Sequence, residues 1–239
     1  MEKIKNYLEQ ITNGAASLDS NQLQQFEEYY EMLVEKNKVM NLTAITEYEE
    51  VVDKHFIDSI LLGSVKELSG KKRVIDVGTG AGFPGIPLKI VYPELEITLL
   101  DSLNKRVKFL NEVIEELGLT GIQAVHSRAE DLAQDAAYRQ QYDICVSRAV
   151  ANLATLSEYC IPFVKQGGYF ISYKSTQIEE ELKQAKKAVQ VLGGILEQVE
   201  TVQIPGTTIE RQFVMIRKTG TTPKKFPRKA GTASKTPIE

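Results

Sequence analysis

The chain has little from which to build a metal or disulfide framework: two cysteines, Cys145 and Cys160, and two histidines among 239 residues. Each cysteine lies within an apolar segment, so both read as buried free thiols, and no metal is expected. Long apolar runs are missing too. The first ten residues, MEKIKNYLEQ, mix charged and apolar positions and hold no signal-peptide h-region. No membrane span is expected, and the expected location is cytoplasmic. Net charge is only −3 at pH 7, so no overall basic character announces a nucleic-acid partner.

What is present describes a packed globular protein: 42% hydrophobic and 26% charged residues over a length suited to one large domain with extensions. The small net charge conceals an uneven placement. From Lys218 to Glu239 six basic side chains stand against one side-chain carboxylate, a net of +5. Pro223, Pro227 and Pro237 lie there among Thr, Gly and Ser, so the segment is expected to be a mobile extended strand rather than a helix. Three regions follow: an N-terminal helical cap over 1–70, a core over 71–218 and a flexible basic tail over 219–239.

Hydrophobic periodicity predicts an amphipathic helix over 19–37, with Leu23, Phe26, Tyr30, Leu33 and Val34 on one stripe and a capping box from Asp19 to Gln22. After an irregular NLTAI at 41–45, Thr46 is placed to cap a second helix over 47–62. From Arg73 onward, short apolar runs alternate with helical periodicity, the pattern of βαβ units. Strands are predicted at 73–78, 96–101, 122–127, 142–149 and 167–174. Helices are predicted at 103–117, stopped by Gly118, and at 176–192, opened by a Thr176–Glu179 capping box. The runs at 195–205 and 211–218 are too close for a parallel crossover and must form an antiparallel hairpin. The fold class is therefore α/β: a doubly wound, mostly parallel seven-stranded sheet ending in an antiparallel hairpin, as in class I S-adenosylmethionine methyltransferases.

The strongest motif is Asp76-Val77-Gly78-Thr79-Gly80-Ala81-Gly82, where the first strand turns toward the first helix. Glycines there permit positive φ and close approach of a ligand, and they point to an adenine-containing cofactor. Gly80-x-Gly82-x-x-Gly85 matches the dinucleotide pattern literally, but Asp76 would face a pyrophosphate unfavourably and would suit the ammonium group of a methionine moiety. A dinucleotide domain would also leave little chain for a substrate domain. No Gly-Lys-Ser/Thr follows the glycines, which excludes a P-loop. Asp101, ending the second strand, is placed to accept ribose hydroxyls or to cap the next helix. Ala129 and Glu130 are candidates for the adenine edge, with a first-turn helix acid as the plainer reading of Glu130. Arg148, ending the fourth strand, reads equally as a residue of the ligand face or as a salt-bridge partner of Glu130 or Asp101.

Absences also narrow the chemistry. The fourth strand ends in Ser147-Arg148-Ala149-Val150 where amino-group methyltransferases carry Asn/Asp-Pro-Pro-aromatic; pyrimidine C5 methylation would need a cysteine nucleophile after that strand, but Cys145 lies within it and Cys160 on a helix packed by Leu153, Leu156 and Phe163. A guanine N7 has an exposed lone pair and needs no deprotonation, so alignment alone suffices for its methylation. His55 is the one group near such a face that titrates near neutrality, with packing as its alternative role.

Taken together, NLTAI (41–45), KHFIDS (54–59), DVGTGAGFPGIPL (76–88), SRAEDL (127–132) and SRAVA (147–151) resemble the bacterial 16S rRNA guanosine-N7 methyltransferase family, known as glucose-inhibited division protein B. The resemblance implies S-adenosylmethionine as cofactor, contacted at Gly78, Phe83, Ala129, Glu130 and Arg148, and 16S rRNA or the small ribosomal subunit as partner. Asp76, Gly80, Gly82 and Asp101 stand beside these as cofactor candidates from the glycine turn and the end of the second strand. Lys224, Lys225, Arg228 and Lys229 are the candidate RNA contacts of the tail, on a protein expected to be monomeric. A cofactor-binding regulator without catalysis, or a methyltransferase of a small molecule or protein, stays open on the residues alone.

Overall fold

The computed structural model describes residues 1–12, 17–148, 151–175, 177–204 and 206–238. Seven strands form one sheet in the order β3-β2-β1-β4-β5-β7-β6: β1 (Arg73–Val77), β2 (Glu96–Asp101), β3 (Ile122–His126), β4 (Tyr142–Arg148), β5 (Val164–Lys174), β6 (Gly194–Gln203) and β7 (Glu210–Lys218). The first five run parallel; β7 lies antiparallel between β5 and β6, as the short connection requires. The chain winds outward from β1 in both directions. The carboxyl ends of β1 and β4 thus mark the switch point where such sheets bind ligands.

Helices cover both faces. On the N-terminal side lie α1 (Glu2–Ile11), α2 (Ser20–Met40) and a broken helix made of α3 (Tyr48–Val51), a π-helical stretch at Val52–Ile57, α4 (Asp58–Ile60) and α5 (Leu62–Val65). These pack with α6 (Gly85–Val91) and α7 (Asn104–Glu116) against Val74, Ile97, Leu99, Ile144 and Val146. On the opposite face Ile75, Val77, Leu100 and Cys145 meet α9 (Leu153–Cys160) and α10 (Glu179–Val191), flanked by α8 (Ala129–Leu132). Alternate residues of β1 thus enter different cores, the two-residue period of a strand covered on both sides. Cys145 and Cys160 are both fully buried and free.

The Asp19–Gln22 capping box opens α2, and Gly118, at φ +61°, follows α7. Tyr29 rather than Tyr30 is the fully buried ring of the α2 stripe, turned toward the glycine loop. Thr46 does not cap the next helix: Glu47 precedes α3, and no side chain caps it. Thr176 and residues 149–150 of the SRAVA segment lie outside the described residues. The N-terminal helices do not stand apart as a lid, because Ile4, Phe26, Tyr29, Phe56 and Ile60 belong to the same continuous core as the sheet.

The tail departs most from expectation. Its prolines bring no amide donors of their own, so the segment leans on donors elsewhere in the chain for its backbone carbonyls. Arg139 gathers those of Phe226 (2.9 Å), Thr222 (3.0 Å) and Pro223 (3.3 Å). Phe226, Pro227 and Ala233 are buried, and a short helix, α11 (Thr232–Lys235), ends the described chain. Composition alone argues for mobility. A receptor already built on the folded core reverses it.

Candidate active site

Gly78, Gly80 and Gly82 all take positive φ (+73°, +64° and +110°), so the loop leaving β1 coils tightly before α6 begins at Gly85. Two anchors hold that coil. Asp76 is fully buried, and its Oδ2 accepts from Thr79 Oγ1 at 2.7 Å and from the Gly85 amide at 2.9 Å. From the other side the Tyr29 hydroxyl donates to the Ala81 carbonyl at 2.6 Å. A Cβ on Gly82 would stand 2.5 Å from Ile86 Cδ1 and 2.7 Å from the Tyr29 hydroxyl, so glycine there is a packing requirement as well.

Asp101 ties the neighbouring turn to this loop. Its Oδ2 accepts from the Gly80 amide at 3.0 Å, its Oδ1 from the Leu103 amide at 2.8 Å, and Arg106 stands 3.4 Å away. Asp101 does not cap α7, whose N-cap is Leu103 with no side-chain cap; it braces the turn before that helix, and the same carboxylate lines a cleft. The cleft encloses about 480 Å³ between Gly78–Ala81, Phe83, Asp101–Leu103, Arg106 and Arg148 on the sheet side and Leu42, Thr43 and His55 on the helical side. A smaller cavity of about 150 Å³ shares Gly78, Asp101 and Ser102 with it and continues to Arg128, Ala129, Glu130 and Tyr159. Sharing these residues, the two adjoin as one trough across the carboxyl ends of β1, β2 and β3.

Arg148 does not reach Glu130 or Asp101 for its ion pair. Its Nη1 lies 2.7 Å from Asp58 Oδ2, within KHFIDS, and also donates to the Lys54 carbonyl at 3.3 Å. Arg211 from β7 takes the other carboxylate oxygen of Asp58 at 2.6 Å. The guanidinium of Arg148 stands 5.0 Å from the centre of the Phe83 ring, and His55 stacks on that ring at 4.6 Å and 23°. His55 Nε2 is 2.8 Å from Thr43 Oγ1, which joins the NLTAI segment to the site. Burial, reinforced by the Arg148 charge, lowers the His55 pKa to about 4, so the imidazole is neutral at pH 7. The π-helical stretch presents the Lys54 carbonyl and the His55 ring to Arg148, and such local irregularities are frequent at functional sites.

Asp76 differs from the other carboxylates. Its Oδ1 is buried with no hydrogen-bond partner, and burial raises the side-chain pKa to about 6. An unpaired buried carboxylate oxygen is costly. Asp76 lies at the base of the glycine loop, held to Thr79 and Gly85, and lines neither cavity itself.

The trough thus collects Gly78, Gly80, Phe83, Asp101, Ala129, Glu130, Arg148 and His55 from the sequence-derived candidates, while Gly82, within the loop, and Asp76, bonded to it, line neither cavity. Arg228 is placed elsewhere: its guanidinium is paired with Glu158, which is buried, whereas Lys224, Lys225 and Lys229 are exposed. Sequence reasoning passed over Asp58, Thr43, Ser102, Arg106 and Tyr159. For Asp58 and Thr43 a signal existed in the KHFIDS and NLTAI segments; for Tyr159 there was none. Among the described residues, no three His, Cys, Asp or Glu side chains converge to hold a metal ion, and no helix is long and apolar enough to cross a membrane.

Comparison with known proteins fits this geometry. The chain is 50% identical over 238 residues to the ribosomal RNA small subunit methyltransferase G of Lachnoclostridium phytofermentans, spanning 100% of this chain and 98% of that one. It is 53% identical over 221 residues to the protein of the same name from Desulforamulus reducens, spanning 92% of each. Among solved structures, a mutant of MtNAS in complex with S-adenosylmethionine shares the fold with a TM-score of 0.54 at 15% identity, over 91% of this chain and 77% of that one. The GidB family, described as rRNA small subunit methyltransferase G, matches residues 22–214, and the chain belongs to that family.

Proposed function

We propose that this enzyme transfers a methyl group from S-adenosylmethionine to N7 of a guanosine in 16S ribosomal RNA. The observation that carries the cofactor part is the pair of adjoining cavities at the switch point, with the glycine loop, held by the buried Asp76, along one and Ala129–Glu130 along the other. That arrangement fits a methionine arm over the glycine loop, a ribose at Asp101 and an adenine against Ala129. When bound, the cofactor supplies an electrophilic methyl group on a sulfonium.

The residues of the chain account for the rest. Asp101 holds two loops together while its carboxylate faces the trough, which suits it to ribose hydroxyls. Arg148 and Phe83 form one wall, and Asp58 fixes that guanidinium so that it does not swing into solvent. His55 stays uncharged at neutral pH, so the wall that a base would approach carries one cation rather than two. No strong general base stands among these wall residues. A ring nitrogen with a free lone pair requires none, and holding donor and acceptor in line is enough. Family membership supports small-subunit RNA as the acceptor. The exposed Lys224, Lys225 and Lys229 are suited to phosphate contacts. We place the enzyme in the cytoplasm, acting as a monomer.

The test uses 16S RNA from cells lacking this gene beside the same RNA transcribed with 7-deazaguanosine. The natural RNA should gain one methyl group and the substituted RNA none. Equal incorporation into both would reject N7 as the acceptor.

A further inference from the structure

Residues 222–238 make contacts that the reaction above leaves unused. The segment lies across α8 and α9, the two helices that supply Glu130 and Tyr159 to the smaller cavity. The Gly231 amide donates to Glu130 Oε1 at 2.8 Å, made possible by a left-handed turn at φ +79° that also begins α11. Thr155 Oγ1, on α9, donates to the Ala233 carbonyl at 3.1 Å.

The strongest attachment is next to Tyr159. Glu158 is only 1% exposed, and it accepts from the Arg228 amide at 2.7 Å and from Arg228 Nε and Nη2 at 2.9 and 2.6 Å. A bidentate guanidinium on a buried carboxylate is among the stronger polar contacts a protein makes. Gln134 adds a bond to the Pro227 carbonyl at 2.8 Å.

We propose that this C-terminal segment is a strap that sets the adenosine end of the cofactor cleft, with Arg228 and Gly231 as positioning residues for Glu130 and Tyr159. The inference rests on reading the trough as the S-adenosylmethionine site. The helix α8 has only four residues, too few to hold its own geometry, so its place depends on what it packs against. The strap supplies that support from outside the sheet. Without it Glu130 loses its amide donor, and Glu158 is left as a buried carboxylate beside the cavity wall.

The test is calorimetric titration without RNA, using S-adenosylhomocysteine and 5′-methylthioadenosine. The second ligand carries the adenosine but lacks the amino-acid arm. The full chain is compared with a chain ending at Arg228, which loses Gly231 and α11, and with full-length Arg228→Ala and Arg228→Lys. The shortened chain is expected to raise Kd about tenfold, equivalent to ~1.4 kcal/mol, and by the same factor for both ligands. Arg228→Ala should weaken both in the same way, and Arg228→Lys should recover part of the loss. Affinities within about twofold of the full chain in the shortened and Arg228→Ala proteins would overturn the strap, as would a loss confined to S-adenosylhomocysteine. If the shortened chain fails to melt cooperatively, the two Arg228 variants decide. Binding of neither ligand by the full chain would overturn the cofactor reading itself, a distinct outcome.

Discussion

Asp58→Asn separates the two roles assigned to the ion cluster behind the cleft. The Asp58 carboxylate has 0% side-chain exposure, whereas Arg148 and Arg211 keep 11% and 19%. Removing one partner of a buried pair costs ~3–5 kcal/mol when the remaining charge is fully desolvated. Here both cations retain some water, and the Asn oxygen still accepts one bond, so roughly 2–3 kcal/mol is the reasoned loss. For a chain of this size ~2–4 °C per kcal/mol lowers the melting temperature by roughly 5–10 °C. Arg148 also loses the contact that holds it over Phe83, so KM for S-adenosylmethionine should rise about tenfold, with ~1.4 kcal/mol at stake. Arg211→Gln supplies the comparison. It touches the same carboxylate but does not line the cleft, so it should lower the melting temperature without moving KM. Thermal melts and steady-state kinetics on both variants decide the matter. An Asp58→Asn protein with the parent melting temperature and the parent KM would refute the reasoning, and equal KM changes in both variants would reduce Asp58 to a structural role.

Three further expectations follow from the same site. His55 takes up its proton in the folded protein only below about pH 4, against 6.5 when unfolded, so its contribution destabilises as pH falls through that window and is absent above it. His55→Gln should therefore gain up to ~2 kcal/mol on the parent between pH 7.5 and pH 5 in urea melts, and a pH-independent difference would show that the imidazole is not held neutral. Asp76 has the opposite sign: with its folded pKa raised to about 6 from 3.8, its contribution is lost as pH rises through that range. Asp76→Asn should be more stable than the parent at pH 8, by up to ~3 kcal/mol, yet bind S-adenosylhomocysteine far more weakly. Unchanged affinity by calorimetry would dissociate Asp76 from the site. Gly82→Ala must displace the Tyr29 hydroxyl or Ile86 and adopt a left-handed backbone, so a loss of ~1–3 kcal/mol is expected by chemical denaturation. A neutral substitution would show that the loop repacks freely.

The strands were legible because each is a short apolar run bounded by turn residues, and the burial of β1, β2 and β4 on both faces gives those runs their continuity. The glycine loop was legible because three glycines at a strand end have few other uses. What stayed hidden depends on partners far along the chain. Arg148 and Asp58 are separated by 90 positions, and nothing in either segment names the other. VDKHFI reads as ordinary helix from sequence, whereas it winds as a π-helix whose Lys54 carbonyl and His55 ring meet Arg148. The tail misled for a related reason: Pro, Thr, Gly and Lys favour mobility in isolation, and only the folded core shows Glu158 buried under Arg228, 70 positions away. The first helix, α1, was passed over because its apolar positions, Ile4, Tyr7 and Leu8, are few and set in a charged stretch.

The most direct measurement of the central claim is nucleoside mass spectrometry after incubating the purified protein with trideuteromethyl S-adenosylmethionine and 16S RNA from cells lacking the gene, as naked RNA and as small subunits. The account expects 7-methylguanosine carrying the deuterated methyl group in at least one of the two. Label in another nucleoside, or none in either form from a protein that binds the cofactor, would contradict it.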